Sequence, residues 1–181
     1  MTSLDLGGSV DAVARRVLGW RLVSTVGGVT VEVMLTEVEA YGGDQDPASH
    51  AFRGRTKRNG SMFGPPGTLY VYRSHGIHWC ANLVTGTVGD PQAVLLRGAE
   101  IESGRSQVEA RRGRQSYLTD GPGKLAQALG ISGDLDAHLM TNPPLILCAG
   151  ELPDDYEVEA TPRIGISKAV DRRWRFTAGT G

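Results

Sequence analysis

Two carboxylates stand two residues apart in the segment Thr36–Gly43, which reads TEVEAYGG. Because alternate side chains of a β-strand lie on one face, Glu37, Glu39 and Tyr41 should share a face of a strand that ends at a glycine-rich bend. A carboxylate in such a place can act as a general acid or base when it is shielded from water. The same pattern is typical of the solvent-facing surface of a strand, and these residues alone leave both interpretations open.

Aromatic side chains flank a hairpin in the segment Pro66–Asn82, which reads PGTLYVYRSHGIHWCAN. Tyr70 and Tyr72 should share a strand face, and Arg73–Gly76 should form an exposed hairpin tip. Aromatic rings beside a basic loop can stack on an unpaired nucleic-acid base. Burial of both tyrosines in the core is the alternative, and it is the usual place of a tyrosine in a strand.

The histidines do not form a recognisable metal-binding motif. His75 and His78 are three residues apart, so in a strand they point to opposite faces and could share a metal only on a turn. His50 and Asp46 lie upstream, but the chain has no HExxH and no paired CxxC motif. Cys80 stands in an apolar strand, where a buried packing role is favoured over that of a nucleophile. We therefore expect no metal and no cofactor.

A short glycine-rich turn, GPGK at positions 121–124, precedes a predicted helix. It is too short to be the GxxxxGK[ST] loop that binds nucleotides. Its backbone amides could still contact a single phosphate at the N terminus of the helix.

The elements that must position these residues can be predicted from periodicity and turn signals. Apolar residues recur at helical spacing over 10–18, and paired glycines at 27–28 separate two β-rich segments as in a hairpin. The predicted strands are 20–26, 29–40, 69–72, 77–84, 93–99, 145–148, 156–160 and 163–167, the predicted helices are 10–18, 103–114 and 124–129, residues 41–67 form a long loop, and 174–176 closes the chain. This order predicts one α+β domain over residues 1–181, with a largely antiparallel sheet.

Composition excludes several classes of protein. The chain of 181 residues has 25 glycines and 9 prolines, an excess of turn formers that argues against a helical bundle or coiled coil. Two cysteines, Cys80 and Cys148, are too few for a disulfide framework or a four-cysteine zinc site. No apolar segment approaches the ~20 residues that cross a bilayer, and no signal peptide is recognisable. We therefore expect an intracellular, cytoplasmic protein with no membrane partner.

Basic residues are clustered although the formal net charge is only −1. Thirteen of the 19 lysines and arginines fall in the segments 53–58, 105–114 and 163–175, whereas acidic residues collect at 154–159. A folded chain could therefore present one basic face to the phosphates of a nucleic acid. Three unrelated solvated faces would explain the same distribution.

Taken together, these segments resemble the alkyladenine (methylpurine) DNA glycosylases. The similarity runs in order along nearly the whole chain, which makes it more specific than any single motif. The matching segments are Thr36–Gly43, His50 with Arg53–Arg55, Arg58–Asn59 with Met62–Phe63, Pro66–Tyr72, Cys80–Asn82, Val94–Arg97, Gly121–Ile131, Pro162–Ile166 and Trp174–Phe176. The resemblance implies a mixed, largely antiparallel curved sheet with a protruding β-hairpin and flanking helices.

The resemblance also implies an activity. The family flips a damaged purine nucleotide out of duplex DNA and hydrolyses its N-glycosidic bond with water, without a metal, an organic cofactor or scission of the strand. Glu39 matches the general base that activates the water, and Arg97 matches a residue near that water and the target's phosphate. The implied partner is double-stranded DNA that carries an alkylated or deaminated purine. The expected state is a monomer in the cytoplasm, associated with the nucleoid if the cell is bacterial.

Further site residues follow from the matching positions. Tyr41 and Tyr72 match the aromatic walls that enclose the flipped base, and His50 matches the residue that touches its edge. Asn82 matches a residue that screens purines by crowding the exocyclic amino group of guanine. Because alkylation at N3 or N7 makes a purine cationic, stacking between electron-rich rings gains a cation–π contribution of ~1–2 kcal/mol that normal bases lack.

The expected DNA contacts include one departure from the family pattern. Arg55 and Lys124, with Gly121 and Gly123 of the glycine-rich turn, match contacts to DNA phosphates. At the hairpin tip the family usually has a tyrosine, which fills the gap left by the flipped base, whereas this chain has His75. An imidazole covers less area when it stacks, so we expect weaker extrusion of paired bases.

Two other hypotheses use the same residues. A lesion-binding module could flip bases without catalysis, because the residue at the hairpin tip is altered. A metal-dependent hydrolase would use His50, His75 and His78 and would lose activity with chelators. Base-release kinetics on methylated DNA would separate an enzyme from a binding module, and the presence of Glu39, Tyr41 and Tyr72 favours the enzyme.

Overall fold

The computed structural model describes residues 4–181, and over this range the chain forms three α-helices and nine β-strands. The helices are α1 (Val10–Arg16), α2 (Arg105–Arg112) and α3 (Pro122–Leu129). The strands are β1 (Arg21–Ser24), β2 (Val31–Tyr41), β3 (Leu69–Ser74), β4 (His78–Val84), β5 (Ala93–Ser103), β6 (Thr141–Asn142), β7 (Leu145–Cys148), β8 (Tyr156–Thr161) and β9 (Arg175–Thr180). The predicted α+β class is confirmed.

All nine strands belong to one antiparallel sheet, in the order β3-β4-β5-β2-β1-β7-β6, with β9 joined to β2 and β8 joined to β9. Strand β2 is its centre, because it has strand partners along both edges. Strand β5 pairs along one edge. On the other edge, β1 pairs with Val31–Met34 and β9 pairs with Glu37–Glu39. The pairing of β2 with β5 shifts register on both sides of Glu37, and such bulges increase the local twist of a strand. The largely antiparallel, curled sheet agrees with the sequence prediction.

Helix α1 packs its apolar face on the sheet, as its helical spacing predicts. Val10, Val13 and Ala14 are buried. The chain then turns at Gly19, which has a φ of 81°, and a Cβ there would lie 2.4 Å from the backbone nitrogen of Leu152. Both the backbone angle and the close approach require glycine at this position.

The predicted strand over 163–167 is wrong. These residues form an irregular loop between β8 and β9. Its first side chain, Arg163, is buried in an ion pair with Asp46 instead of alternating in a sheet. Gly165 has a φ of 73°, which interrupts an extended conformation.

Most other predicted elements are present with shifted ends. The strand predicted over 69–72 extends to Ser74, the strand over 93–99 extends to Ser103, and the closing segment 174–176 contains the start of β9. The two-residue strand β6 is not indicated by the sequence pattern.

The predicted domain starts at residue 1, and residues 1–3 lie outside the described residues. Within 4–181, no helix has the length and apolar character needed to cross a membrane.

Candidate active site

A cavity of about 320 Å³ is bounded by β3, β4, β5, the end of β2 and several loops. Six of the predicted site residues line it, namely Tyr41, His50, Tyr72, His75, Asn82 and Arg97. The other lining residues are Ala48, Ser49, Met62, Tyr70, Ser74, Cys80, Ala93, Leu95, Pro122 and Ile164–Ile166. The fold therefore brings together side chains from segments that are distant in the chain.

Three rings form one wall of the cavity. Tyr70 and Tyr72, alternate residues of β3, stack with their ring centroids 5.6 Å apart and their planes at 27°. His50 stands edge-on to Tyr72 with centroids 4.5 Å apart, and its Nδ1 lies 2.9 Å from the Tyr70 hydroxyl. The shared strand face is confirmed. Tyr70 is 1% exposed and belongs to the core, whereas Tyr72 is only partly buried.

Glu39 is completely buried, at 0% exposure, so its strand face is not solvent-facing. The Tyr41 hydroxyl donates to Oε2 over 2.8 Å, and the backbone N–H of Ile164 donates to Oε1 over 2.7 Å. Arg97 Nη1 lies 3.4 Å from Oε1. All three partners line the cavity. The carboxylate is thus held in one orientation directly behind the cavity wall.

A second carboxylate, Glu37, holds the arginine that lies beside Glu39. Oε1 of Glu37 accepts hydrogen bonds from Nε of Arg97 and from Nε of Arg175, both over 2.7 Å. Burial by itself would raise the pKa of Glu37, but the two guanidinium groups hold it below the ordinary value. Arg97 therefore bridges two carboxylates and places a permanent positive charge next to Glu39.

The tyrosines of the cavity are held in their neutral form. Burial raises the pKa of Tyr70 to about 12. Burial also raises the pKa of Tyr41 and of Tyr72, and for Tyr41 the charge and hydrogen bond of Glu39 act in the same direction. Each hydroxyl therefore keeps its proton near neutral pH, and Tyr41 can only donate to Glu39.

His50 and Cys80 are also biased toward neutral forms. His50 keeps part of its surface exposed, while the burial of the remainder and the nearby charge of Arg58 lower its pKa. Burial raises the pKa of the Cys80 thiol. The cavity thus presents mainly neutral, polarizable groups, and the Arg97 guanidinium adds a positive charge to its lining.

Asn82 lies on the cavity wall next to the stacked rings. Its side-chain nitrogen donates to the backbone oxygen of Tyr70 over 3.1 Å, and the residue is 5% exposed. This hydrogen bond fixes the amide plane against β3. A fixed amide can exclude a base substituent by its shape, which is the property expected of this position.

The hairpin tip is a two-residue turn at the mouth of the cavity. Ile77 N–H donates to the Ser74 carbonyl over 3.0 Å, and His75 and Gly76 have φ values of 49° and 69°. Positive φ at both central residues is the conformation that matches the twist of a hairpin. Because β3 extends to Ser74, the tip lies at 75–77 rather than at 73–76. His75 lines the cavity, while Ile77 is 66% exposed beside it.

Two predicted phosphate-binding side chains lie outside the cavity lining. Arg55 is exposed, with its guanidinium 5.7 Å from the centroid of the Phe63 ring. Lys124 Nζ is 3.1 Å from a carboxylate oxygen of Asp120 and 5.6 Å from the centroid of Tyr117. DNA contact by either side chain stays a prediction.

The glycine-rich turn at the start of α3 lies against the hairpin. Pro122 lines the cavity, and its neighbour Gly123 packs so closely on β4 that a Cβ there would lie 2.9 Å from the Cβ of His78. Gly121 has a φ of 147°. These contacts explain why glycine is needed at both positions, and they place the turn at the rim of the cavity.

The three basic segments do not behave alike in the structure. In the segment 163–175, Arg163 and Arg175 bind buried or partly buried carboxylates. In the segment 105–114, Arg111 donates to backbone oxygens of neighbouring elements. In the segment 53–58 the basic side chains are exposed.

The histidines are not arranged as a metal site. His50 and His75 both line the cavity, but His78 lies against Gly123 on the hairpin. Across the described part of the chain, no group of three or more His, Cys, Asp or Glu side chains is placed to hold a metal ion. Within residues 4–181, His50, His75 and His78 thus form no shared ligand cluster.

Three contacts of the site are not predicted by the sequence. The backbone N–H of Ile164 has no side-chain signal, and its segment was assigned to a strand. The contact between Tyr70 and His50 joins residues 20 apart in the chain. Arg175 lies in the basic segment 163–175, but the sequence does not indicate its contact with Glu37.

Comparison with known proteins places the chain in a family. A family model described as methylpurine-DNA glycosylase matches residues 5–180. The chain belongs to this family. It is 48% identical over 168 residues to a protein of Agrobacterium fabrum (91% of this chain, 81% of the relative). It is 45% identical over 187 residues to a protein of Mycobacterium tuberculosis (97% and 88%) and 45% identical over 180 residues to one of Frankia casuarinae (92% and 83%). All three carry the provisional name 3-methyladenine DNA glycosylase.

Membership of the methylpurine-DNA glycosylase family confirms the resemblance drawn from the sequence. The protein is a DNA-repair glycosylase of the family that acts on alkylated purines, and DNA is its substrate. The monomeric state and the cytoplasmic location stay predictions.

Proposed function

We propose that the protein hydrolyses the N-glycosidic bond of an alkylated purine nucleotide with a water molecule that Glu39 activates. The observation that carries this proposal is the placement of Glu39, a fully buried carboxylate whose hydrogen-bond partners line the cavity. In the proposed step, the water oxygen bonds to the sugar carbon, the electrons of the N-glycosidic bond pass to the purine, and Glu39 takes a proton from the water.

The charges around Glu39 suit this step. Because its carboxylate exposes no surface, the water has to approach it between Tyr41, Arg97 and Ile164, the residues that contact both it and the cavity. Arg97 lies 3.4 Å from one oxygen of this carboxylate and also lines the cavity, where its positive charge can attract the target's phosphate. As the bond breaks, positive charge develops on the sugar, and the Glu39 carboxylate stabilises it.

The cavity suits a single base that has left the helix stack. Its walls expose the aromatic rings of Tyr41 and Tyr72 and the edge of His50. A base paired inside a duplex cannot enter such a cavity, so the nucleotide has to be flipped out. An alkylated, cationic purine gains a cation–π attraction of ~1–2 kcal/mol to such rings, and its positive charge also makes it the better leaving group. Both effects select for damaged purines.

The lining of the cavity also supports a hydrolase that leaves the DNA strand intact. Strand scission by a glycosylase needs an amine that forms a Schiff base with the sugar. Among the described residues that line the cavity, none is a lysine. Lys124, on the nearby helix α3, has its amino group paired with Asp120.

The test is the variant Glu39→Gln, which keeps the size of the side chain and removes its ability to accept a proton. We expect release of methylated purines from duplex DNA to be abolished, with affinity for the same DNA largely retained. Glu159→Gln, at an exposed position of β8, is the matched control and should leave release unchanged. Unchanged release by Glu39→Gln would remove Glu39 from the mechanism. Lesion binding without any release by the unaltered protein would instead favour the non-catalytic module.

A further inference from the structure

A buried ion pair lies behind the candidate active site and takes no direct part in the proposed chemistry. Arg163 and Asp46 both have 0% side-chain exposure. Nη1 and Nη2 of the arginine each contact one carboxylate oxygen, Nη2 over 3.0 Å. Nη1 also donates to the backbone oxygen of Ala40 over 2.8 Å. The pair therefore ties the loop after β8 to the segment that follows Glu39.

Each partner of this ion pair is connected to one of the two residues that donate hydrogen bonds to Glu39. Asp46 accepts the backbone N–H of Gly42, the residue directly after Tyr41, over 3.1 Å. Arg163 directly precedes Ile164, whose backbone N–H binds Oε1 of Glu39. Tyr41 binds Oε2. The two hydrogen bonds that fix the carboxylate thus come from the two segments that the ion pair joins.

The guanidinium of Arg163 also supports the Tyr41 ring directly. Its central carbon lies 4.7 Å from the centroid of Tyr41 and 5.3 Å from the centroid of Trp174. Arg163 does not line the cavity, so it contacts the tyrosine from the protein interior while the substrate would use the cavity side. A planar guanidinium can make the forked pair and the ring contacts at once, which an ammonium group cannot.

Stability alone is a poor explanation of this arrangement. A buried ion pair carries a desolvation cost that its own attraction often fails to exceed. In addition, Nε of Arg163 is buried without a hydrogen-bond partner among the described residues. We propose that the Asp46–Arg163 ion pair is a positioning device, which holds the Tyr41 hydroxyl and the Ile164 amide on the two oxygens of Glu39. This inference rests on the proposed role of Glu39.

The test is Arg163→Lys, which keeps the positive charge and loses the fork. A misplacement of about 1 Å in a catalytic group can cost about 100-fold in rate. We therefore expect the single-turnover rate constant for release of a methylated purine to fall about 10- to 100-fold. The dissociation constant for the same DNA should change less than about threefold, because the cavity walls remain. Arg173→Lys is the matched control, since within residues 4–181 Arg173 donates only to the backbone oxygen of Ala160. It should keep the original rate.

Asp46→Asn keeps an oxygen for the Gly42 amide and removes the charge, so it repeats the test if Arg163→Lys does not fold. Cooperative urea unfolding identifies folded variants. An unchanged rate in a folded variant would overturn the proposal, and so would equal losses of rate and DNA affinity. If Glu39→Gln is inactive but folded Arg163→Lys is fully active, only the positioning role of the ion pair is refuted. If Glu39→Gln is active, the proposed function itself is refuted.

Discussion

The hydroxyl of Tyr41 offers the sharpest test of how Glu39 is held. Tyr41→Phe removes that hydroxyl and leaves the ring on the cavity wall. The hydroxyl donates to Glu39 over 2.8 Å in a site with 0% exposure of the carboxylate. A hydrogen bond to a charged group is worth ~1.5–3 kcal/mol, and about 1.4 kcal/mol corresponds to a factor of ten. Because a carboxylate freed from this bond can turn away from the water, we expect base release to slow about 10- to 100-fold.

The assay is single-turnover release of a methylated purine from duplex DNA, with the enzyme in excess and saturating. Affinity for the same DNA, measured separately, should change little because the ring still stacks. The matched control is Tyr156→Phe, which removes a similar bond, from the Tyr156 hydroxyl to Glu100 over 2.6 Å, at a position away from the cavity. That variant should keep the original rate. An unchanged or faster rate in Tyr41→Phe, or a loss confined to affinity, would refute the idea that the hydroxyl positions Glu39.

Two further predictions concern histidines. His75→Tyr at the hairpin tip should raise the ratio of the base-release rate on duplex DNA to that on single-stranded DNA several-fold. The reason is that a larger ring fills more of the gap left by a flipped base. An unchanged ratio of the two rates would contradict this prediction. The lowered pKa of His50 means that the unfolded chain binds its proton more readily than the folded protein does. Stability should therefore fall as the pH drops below ~6.5, the ordinary histidine pKa. In urea titrations from pH 7 to 5, His50→Gln should flatten this dependence, and identical slopes would show that His50 is not its source.

The acidic strand shows what the alternation of residues predicts and where it stops. The spacing of Glu37 and Glu39 correctly predicts that both carboxylates lie on the side of β2 that contacts Arg97. The same spacing is equally compatible with a solvent-facing surface. In the folded chain Glu39 is fully buried, and one of its contacts comes from the loop at 163–166, more than 120 residues away in the chain.

The loop itself shows why its strand assignment failed. Alternation of Ile164 and Ile166 with smaller residues is typical of a strand. In the protein the segment has no strand partner, because its arginine is held by Asp46 and its backbone amide by Glu39. Contacts of this kind leave no periodic signal in the sequence.

Local sequence determined several elements of this protein, among them the apolar face of α1, the turn at Gly19 that follows it and the paired strands of the hairpin. These depend on neighbours within a few residues, where backbone angles and side-chain periodicity act directly. Tertiary structure decided which charged side chains form ion pairs inside the protein and which remain exposed to solvent. Arg163 and Arg175 look like surface residues in the sequence, but the fold places them against a buried and a partly buried carboxylate, respectively. Burial determines the strength of such pairs, and burial is a property of the folded chain.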